Sequence, residues 1–300
     1  MNGPQTVTSN VYGSGPGIDI NGPGLSPDTE QLTAADAAMN YAADNRLNAY
    51  NGSAVHYDAD GNMTLGPLQG SMQAYTYDAR NRLTEAGGVS YGYNNENTRT
   101  SVTVNGITTR YVINPHAVLS QVLMEQDGQG QAKAWYVYGL GLLAREDAGG
   151  NYQTYHYDRR GSTVALTNDS GLVTDSYTYG NYGEALDHQG ASGQPFRYNG
   201  RDGVMTDENG LYYMRARYYN PDIKRFVNRD VVTGTISSAQ TLNRYAYVNG
   251  NPISYVDPFG LSRDGDSIWM QGASFLADLT PGLGTVEGFK QAFTGTNYVT

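Results

Sequence analysis

The sequence predicts an all-β protein of antiparallel strands. Three observations carry this: tyrosine pairs alternating with other residues, turn residues after each pair, and the return of that unit along most of the chain. In Tyr75-Thr76-Tyr77, Tyr91-Gly92-Tyr93, Tyr136-Val137-Tyr138, Tyr155-His156-Tyr157 and Tyr177-Thr178-Tyr179, a period of two places both rings on one face of a strand. Asp, Asn or Gly then follows. Asp and Asn side chains cap their own turn, and Gly accepts positive φ. A returning strand comes next, as in Ser101-Val102-Thr103-Val104. Residues 40–220 are therefore expected to be almost wholly antiparallel strand, with Tyr57, Tyr77, Tyr93, Tyr157 and Tyr179 on strands and Asp58, Asp78 and Asp158 at their ends.

The unit repeats. Tyr41-Ala42-Ala43-Asp44-Asn45-Arg46-Leu47 aligns with Tyr77-Asp78-Ala79-Arg80-Asn81-Arg82-Leu83, and His56-Tyr57-Asp58-Ala59-Asp60-Gly61-Asn62-Met63 lies between them. Later copies carry Tyr93-Asn94, Tyr138-Gly139, Tyr157-Asp158, Tyr179-Gly180 and Tyr198-Asn199, with a degenerate copy from Tyr111 to Asn114. The steps run roughly 16 to 25 residues. No single unit buries its own apolar face, so the units are expected to stack into one continuous ribbon.

Composition narrows the class. The 300 residues include 38 Gly and 26 Tyr against 6 Phe, and only 16% are charged. Tyr packs one face of a sheet and keeps a hydroxyl for a partner, so this balance suits many strands joined by tight turns. A net charge of −10 argues against a nucleic-acid partner, which needs clustered Lys and Arg. Zero Cys excludes disulfides, thiol catalysis and thiolate zinc sites. The four His (His56, His116, His156, His188) are scattered without ligand spacing, so no metal and no cofactor are expected. No apolar run reaches the roughly 18 residues of a membrane span. The start, Met1-Asn2-Gly3-Pro4-Gln5, shows no secretory signal. Residues 1–37 read as a Gly/Pro-rich segment, in which Ser26-Pro27-Asp28-Thr29-Glu30 either caps a short helix or forms a loop with one helical turn.

The pattern Tyr-x-Tyr-Asp-x-x-Gly/Asn-x-Leu resembles the YD repeat of the Rhs and Tc-toxin families. The ordered strings after it resemble their Rhs-associated core: Phe196-Arg197-Tyr198, Gly210-Leu211-Tyr212-Tyr213-Met214-Arg215-Ala216-Arg217-Tyr218-Tyr219-Asn220-Pro221, Arg225-Phe226, Asn243-Arg244-Tyr245-Ala246-Tyr247 and Asn251 to Leu261. The resemblance covers roughly residues 40–261. It implies a cocoon of spiralling antiparallel sheet around a C-terminal toxin, closed by an inward-curling core plug. Only some eight or nine units are present, so a partial barrel, or the last turns of a longer one, is expected. The implied organisation is a β-shell over residues 38–200, the core over 201–261 and a pre-toxin leader over 262–300.

In the family the core ends in an aspartyl autoprotease that cuts after Asp-Pro-x-Gly-Leu. Carried over by residue, the resemblance implies Asp257 and Asp230 as the catalytic carboxylates and cleavage between Leu261 and Ser262. Two close carboxylates cannot both ionise cheaply, so one serves as acid while the other activates water. Arg229, beside Asp230, is the expected cation, holding one carboxylate ionised or steadying the oxyanion. The family pattern has Asp-Pro-x-Gly at Asp230 as well, whereas this chain reads Asp230-Val231-Val232-Thr233-Gly234.

After Leu261 the apolar residues from Ile268 to Leu279, and then Val286, Phe289 and Phe293, fall at helical spacing and suggest two short helices. The stretch resembles a pre-toxin module. It carries no recognisable catalytic set, so the effector is expected to be absent or truncated. The expected partners are the chain's own C-terminal toxin segment, a secretion spike or chaperone, and an immunity protein. The expected route is delivery from a bacterial cell by type VI secretion or a Tc-like complex. Two other readings stand beside this one: the same fold as a non-catalytic scaffold, and a surface adhesin that binds glycans through its Tyr-rich sheets.

Overall fold

The computed structural model describes residues 37–232, 237 and 239–261, together with the backbone of Thr6–Val7. Over that span it is almost entirely β, with three-residue to four-residue 3-10 turns as its only helical elements. The expected helical tail and the N-terminal cap at Ser26 lie outside the described residues.

Fourteen strands form one antiparallel meander from His56–Tyr57 to Ala185–Gln189, each paired with its neighbours in sequence. This sheet is open, with those two strands as its edges. Before it stands a four-stranded sheet, Thr6–Val7, Met39–Tyr41, Leu47–Tyr50 and Ser53–Ala54.

The repeat is explained by its turn. Asp78 Oδ1 accepts from the amides of Arg80 (2.9 Å) and Arg82 (3.1 Å). Asp127 does the same for Gln129 and Gln131, Asp147 for Gly149 and Asn151, and Asp158 for Arg160 and Ser162. Asn94 and Asn168 substitute with their amide oxygens. The amide three residues on returns to the carbonyl of the capping residue, as from Asn81 to Asp78 and from Gly161 to Asp158. That third residue has positive φ (Asn81 59°, Gly161 81°), the left-handed region open to Gly and tolerated by Asn.

The strand entering the turn ends on the tyrosine before the capping residue: Tyr57, Tyr77, Tyr93, Tyr157 and Tyr179 all do so, the last four as the second of a Tyr pair. The register slips there in most units, as at His56/Tyr57, Thr76/Tyr77, Val137/Tyr138, His156/Tyr157 and Thr178/Tyr179. Such bulges increase local twist and bend the strand. The first ring of each pair is buried (Tyr75, Tyr91, Tyr136, Tyr155, Tyr177). In three units the second donates its hydroxyl to the carbonyl of an earlier strand: Tyr93 to Leu83, Tyr157 to Leu142, Tyr179 to Thr163.

Residues 194–261 fill the face that these rings line. Phe196, Leu211, Tyr213, Tyr218, Ile223 and Val227 pack into one cluster with the sheet tyrosines. A four-stranded hairpin sheet, Met205–Thr206, Tyr212–Met214, Arg217–Asn220 and Arg225–Phe226, organises the segment. Its other face carries Tyr212, Met214, Tyr219 and Phe226 against Tyr198 and Tyr247. Both faces are covered, so Tyr212–Met214 and Arg217–Asn220 are buried at every position. Main-chain bonds tie this core to the turn edge of the long sheet, from Met63 to Val227 and from Thr163 to Arg197, both 2.9 Å.

Candidate active site

Asp230 follows the last strand of the hairpin sheet, and its amide donates to the Arg244 carbonyl (2.9 Å). Its Oδ1 accepts from the Val232 amide (2.8 Å), a local turn made without the proline that the resemblance leads one to expect. Asp257 opens the turn Asp257–Gly260, closed by the Gly260 amide on the Asp257 carbonyl. Its Oδ1 accepts from the Leu261 amide at 3.0 Å. That bond repeats, at the far end of the chain, the side-chain capping of the sheet turns. Both carboxylates are buried, Asp257 completely.

The two meet at one guanidinium. Arg217 Nη2 lies 2.9 Å from Asp230 Oδ2 and 3.6 Å from Asp257 Oδ2. Arg217 begins the strand Arg217–Asn220 and stacks on Phe226, with the guanidinium carbon 3.6 Å from the ring centre. Its Nη1 donates to the Arg244 carbonyl at 3.0 Å, and its Nε donates to the Gly260 carbonyl. Arg244 in turn donates to the Asp230 carbonyl. Burial pulls the Arg217 pKa down, the two carboxylates push it up, and Arg244 adds to the fall. One guanidinium thus touches both buried carboxylates, with Arg244 beside it.

Arg229 stands elsewhere. A Cβ placed on Gly61 would lie 3.2 Å from its Cβ, and its charge bears on Tyr245, whose hydroxyl donates to the Gly61 carbonyl (2.9 Å). Successive side chains of an extended chain diverge. Adjacency to Asp230 in sequence thus did not identify the contacting cation. Arg217 went unnoticed because neither Asp230 nor Asp257 lies beside it in sequence; its one signal was its place in the string resembling the family core. Leu261 is half-buried, and Ser262 lies outside the described residues.

The segment before Leu261 is held carbonyl by carbonyl. Arg215 Nη1 donates to the Pro258 carbonyl (2.6 Å), the Ala216 amide to the Phe259 carbonyl (3.1 Å), and Arg217 to the Gly260 carbonyl. Gly260 has φ 69°, and a Cβ there would lie 2.5 Å from the Met214 carbonyl oxygen. Only Gly lets the turn approach the end of the strand Tyr212–Met214 this closely.

No family model matches the chain. The chain is 31% identical over 239 residues to the tRNA3(Ser)-specific nuclease WapA of Bacillus spizizenii and 30% identical over 239 residues to the tRNA nuclease WapA of Bacillus subtilis, in each case 75% of this chain. It spans 10% of the length of those relatives. It is 27% identical over 201 residues to the toxin subunit YenC1 of Yersinia entomophaga, covering 63% of this chain and 19% of that protein. Among solved structures, a Photorhabdus luminescens Tc holotoxin pore superposes with a TM-score of 0.54 at 20% identity, over 77% of this chain and 13% of the other. A TcdB2-TccC3 crystal structure gives 0.52 at 22% identity, over 68% and 11%. At these identities the structural likeness speaks for the fold.

Proposed function

The chain belongs to the Rhs/YD-repeat toxin family, and from that premise we propose that it is a segment of a toxin-enclosing shell that cuts itself after Leu261 through Asp230 and Asp257. The observation that carries the reading is the contact of one guanidinium, that of Arg217, with both carboxylates next to the segment that ends at Leu261. In the proposed step the ionised carboxylate takes a proton from water as the oxygen attacks the Leu261 carbonyl carbon. The protonated partner gives its proton to the Ser262 nitrogen as the C–N bond breaks. A Leu261 carboxylate and a Ser262 amine result. The C-terminal effector is the released product, an immunity protein its cognate partner, and delivery from a bacterial cell its route.

Intact-mass spectrometry of the purified protein tests this. Two chains divided between Leu261 and Ser262 are expected, with Asp230→Asn and Asp257→Asn each leaving one chain of full mass. A wild type that stays whole over days, at any pH from 4 to 8, favours the scaffold reading instead. A cut Asp257→Asn variant excludes Asp257.

A further inference from the structure

We infer that the outer face of the long sheet, from the strand Ile107–Asn114 to the strand Tyr152–Tyr157, is an interface that pairs with the same face of a second copy of this chain. The inference stands apart from the self-cleavage reading, because this face lies across the sheet from the core and its two carboxylates.

Buried Tyr136 and Tyr155 mark the inner face, so Trp135 and Tyr152 point the other way. Cross-strand pairing sets Val112 opposite Met124, Met124 opposite Trp135, Trp135 opposite Glu146 and Glu146 opposite Tyr152. These five form one row across five strands, and Val137 widens it two residues along from Trp135. Trp135 is 42% exposed, Val137 46%, Tyr152 39% and Val112 38%. At a strand spacing of about 4.8 Å, the row is roughly 20 Å wide. A contiguous apolar band in water marks a contact surface, and Trp, Tyr and Met are enriched at such surfaces.

The rest of the outer face is different. In the strands before the band, the corresponding row reads Thr76, Glu85, Ser90, Thr103 and Thr108. The hydroxyls of Thr76 and Thr84 are hydrogen-bonded (3.0 Å), as are those of Thr103 and Thr108 (2.8 Å). Beyond the band, Thr154 faces Thr167. A solvated sheet face takes hydroxyls, as these rows do, so the apolar band has a cause of its own.

Charge selects the occupant. Arg110 lies two residues before Val112 on the same face, toward one end of the band, and Glu146 stands toward the other. Both are exposed, and among the described residues neither forms an ion pair. A two-fold axis along the strand of Trp135 lays one band on another with its ends exchanged. Glu146 of each copy then comes toward Arg110 of the other, twice over, as an isologous contact requires. Packed sheets lie about 10 Å apart, a gap that these two side chains bridge. The band is therefore complementary to itself. The chain's net charge of −10 opposes association, and the band is narrow, so a reversible dimer in the micromolar range is expected.

Sedimentation velocity on the full chain, from about 1 to 300 μM, tests this. Trp135→Thr gives the position the hydroxyl of the neighbouring rows and is expected to weaken the dimer by roughly tenfold or more, with an unchanged circular dichroism spectrum. Arg110→Glu and Glu146→Arg are each expected to weaken it roughly tenfold by setting like charges opposite, and the two changes together to return it to within about threefold of wild type. A wild type that stays monomeric at the highest concentration overturns the inference and leaves the face to a partner other than this chain. A dimer that Trp135→Thr leaves untouched associates through a different surface, which also overturns it. A dimer that Trp135→Thr breaks, and that the paired charge exchange fails to restore, overturns the two-fold arrangement.

Discussion

Arg99 and Asp207 stand 108 residues apart in the chain and meet in a buried ion pair, with Arg99 Nη1 2.7 Å from Asp207 Oδ2 and 2.9 Å from Oδ1. The pair joins the sheet strand Arg99–Val104 to the core segment, inside a ring of tyrosines. The guanidinium carbon lies 4.1 Å from the centre of Tyr213, 5.4 Å from Tyr91 and 5.8 Å from Tyr218. Its worth is structural: it ties the core segment to the sheet.

Asp207→Asn is expected to destabilise the protein by roughly 3–5 kcal/mol, because it strands a guanidinium away from water. Replacing both partners, as Arg99→Met with Asp207→Leu, should recover most of that loss, since two apolar groups leave no orphan charge. Denaturant titration followed by fluorescence measures both. A single variant within about 1 kcal/mol of wild type contradicts this account.

The turn acids are expected to act as acceptors and not chiefly as charges. Asp158→Ala frees the amides of Arg160 and Ser162 and should cost roughly 1–2 kcal/mol. Asp158→Asn should cost less than half as much, because Asn94 and Asn168 already hold equivalent amides in their own turns. Equal losses in the two variants would show that the negative charge dominates.

Acid should loosen the same turns. The side-chain amide of Asn151 and the backbone amides of Asn151 and Gly149 hold the Asp147 carboxyl below the ordinary carboxylate range. Asp78 is also lowered: its slight burial acts upward, and the side chain and amide of Arg82 overcome it. A depressed folded pKa means that the unfolded chain takes up protons first. The stability from these carboxylates is therefore full above about pH 4 and is lost as pH falls through the folded values. Thermal melts between pH 2.5 and 7 should show a falling Tm below about pH 4, with a shallower fall for Asp147→Asn.

Gly260→Ala places a methyl group 2.5 Å from the Met214 carbonyl oxygen, at a φ of 69° that Ala resists. Neither strand can yield without breaking the bonds from Ala216 and Arg217. Cleavage is expected to slow at least tenfold, roughly the loss of one charged hydrogen bond, while circular dichroism shows the sheets intact. Wild-type cleavage in this variant would show that the segment need not lie flat against Met214.

The reading from sequence succeeded where the determinants are local. Tyr-x-Tyr alternation, an Asp or Asn cap and a Gly or Asn three residues later all act within one strand–turn–strand unit, and each strand bonds to its neighbour in sequence. That is enough to specify an antiparallel meander with Tyr57, Tyr77, Tyr93, Tyr157 and Tyr179 at strand ends. The core resisted such reading because Tyr212–Met214 and Arg217–Asn220 are covered on both faces, which erases the period-two signal.

The sequence by itself thus determined the repeat and its turns, and its resemblance to the family directed attention to Asp230 and Asp257. Only the tertiary structure decided which cation touches them. Arg229 is the neighbour along the chain, yet Arg217 meets Asp230 and Asp257 in space, from a hairpin sheet that packs on the tyrosine face. Electrostatic partnership depends on distance through the fold, and a spacing of 13 or 40 residues along the chain says nothing of it until the core is closed.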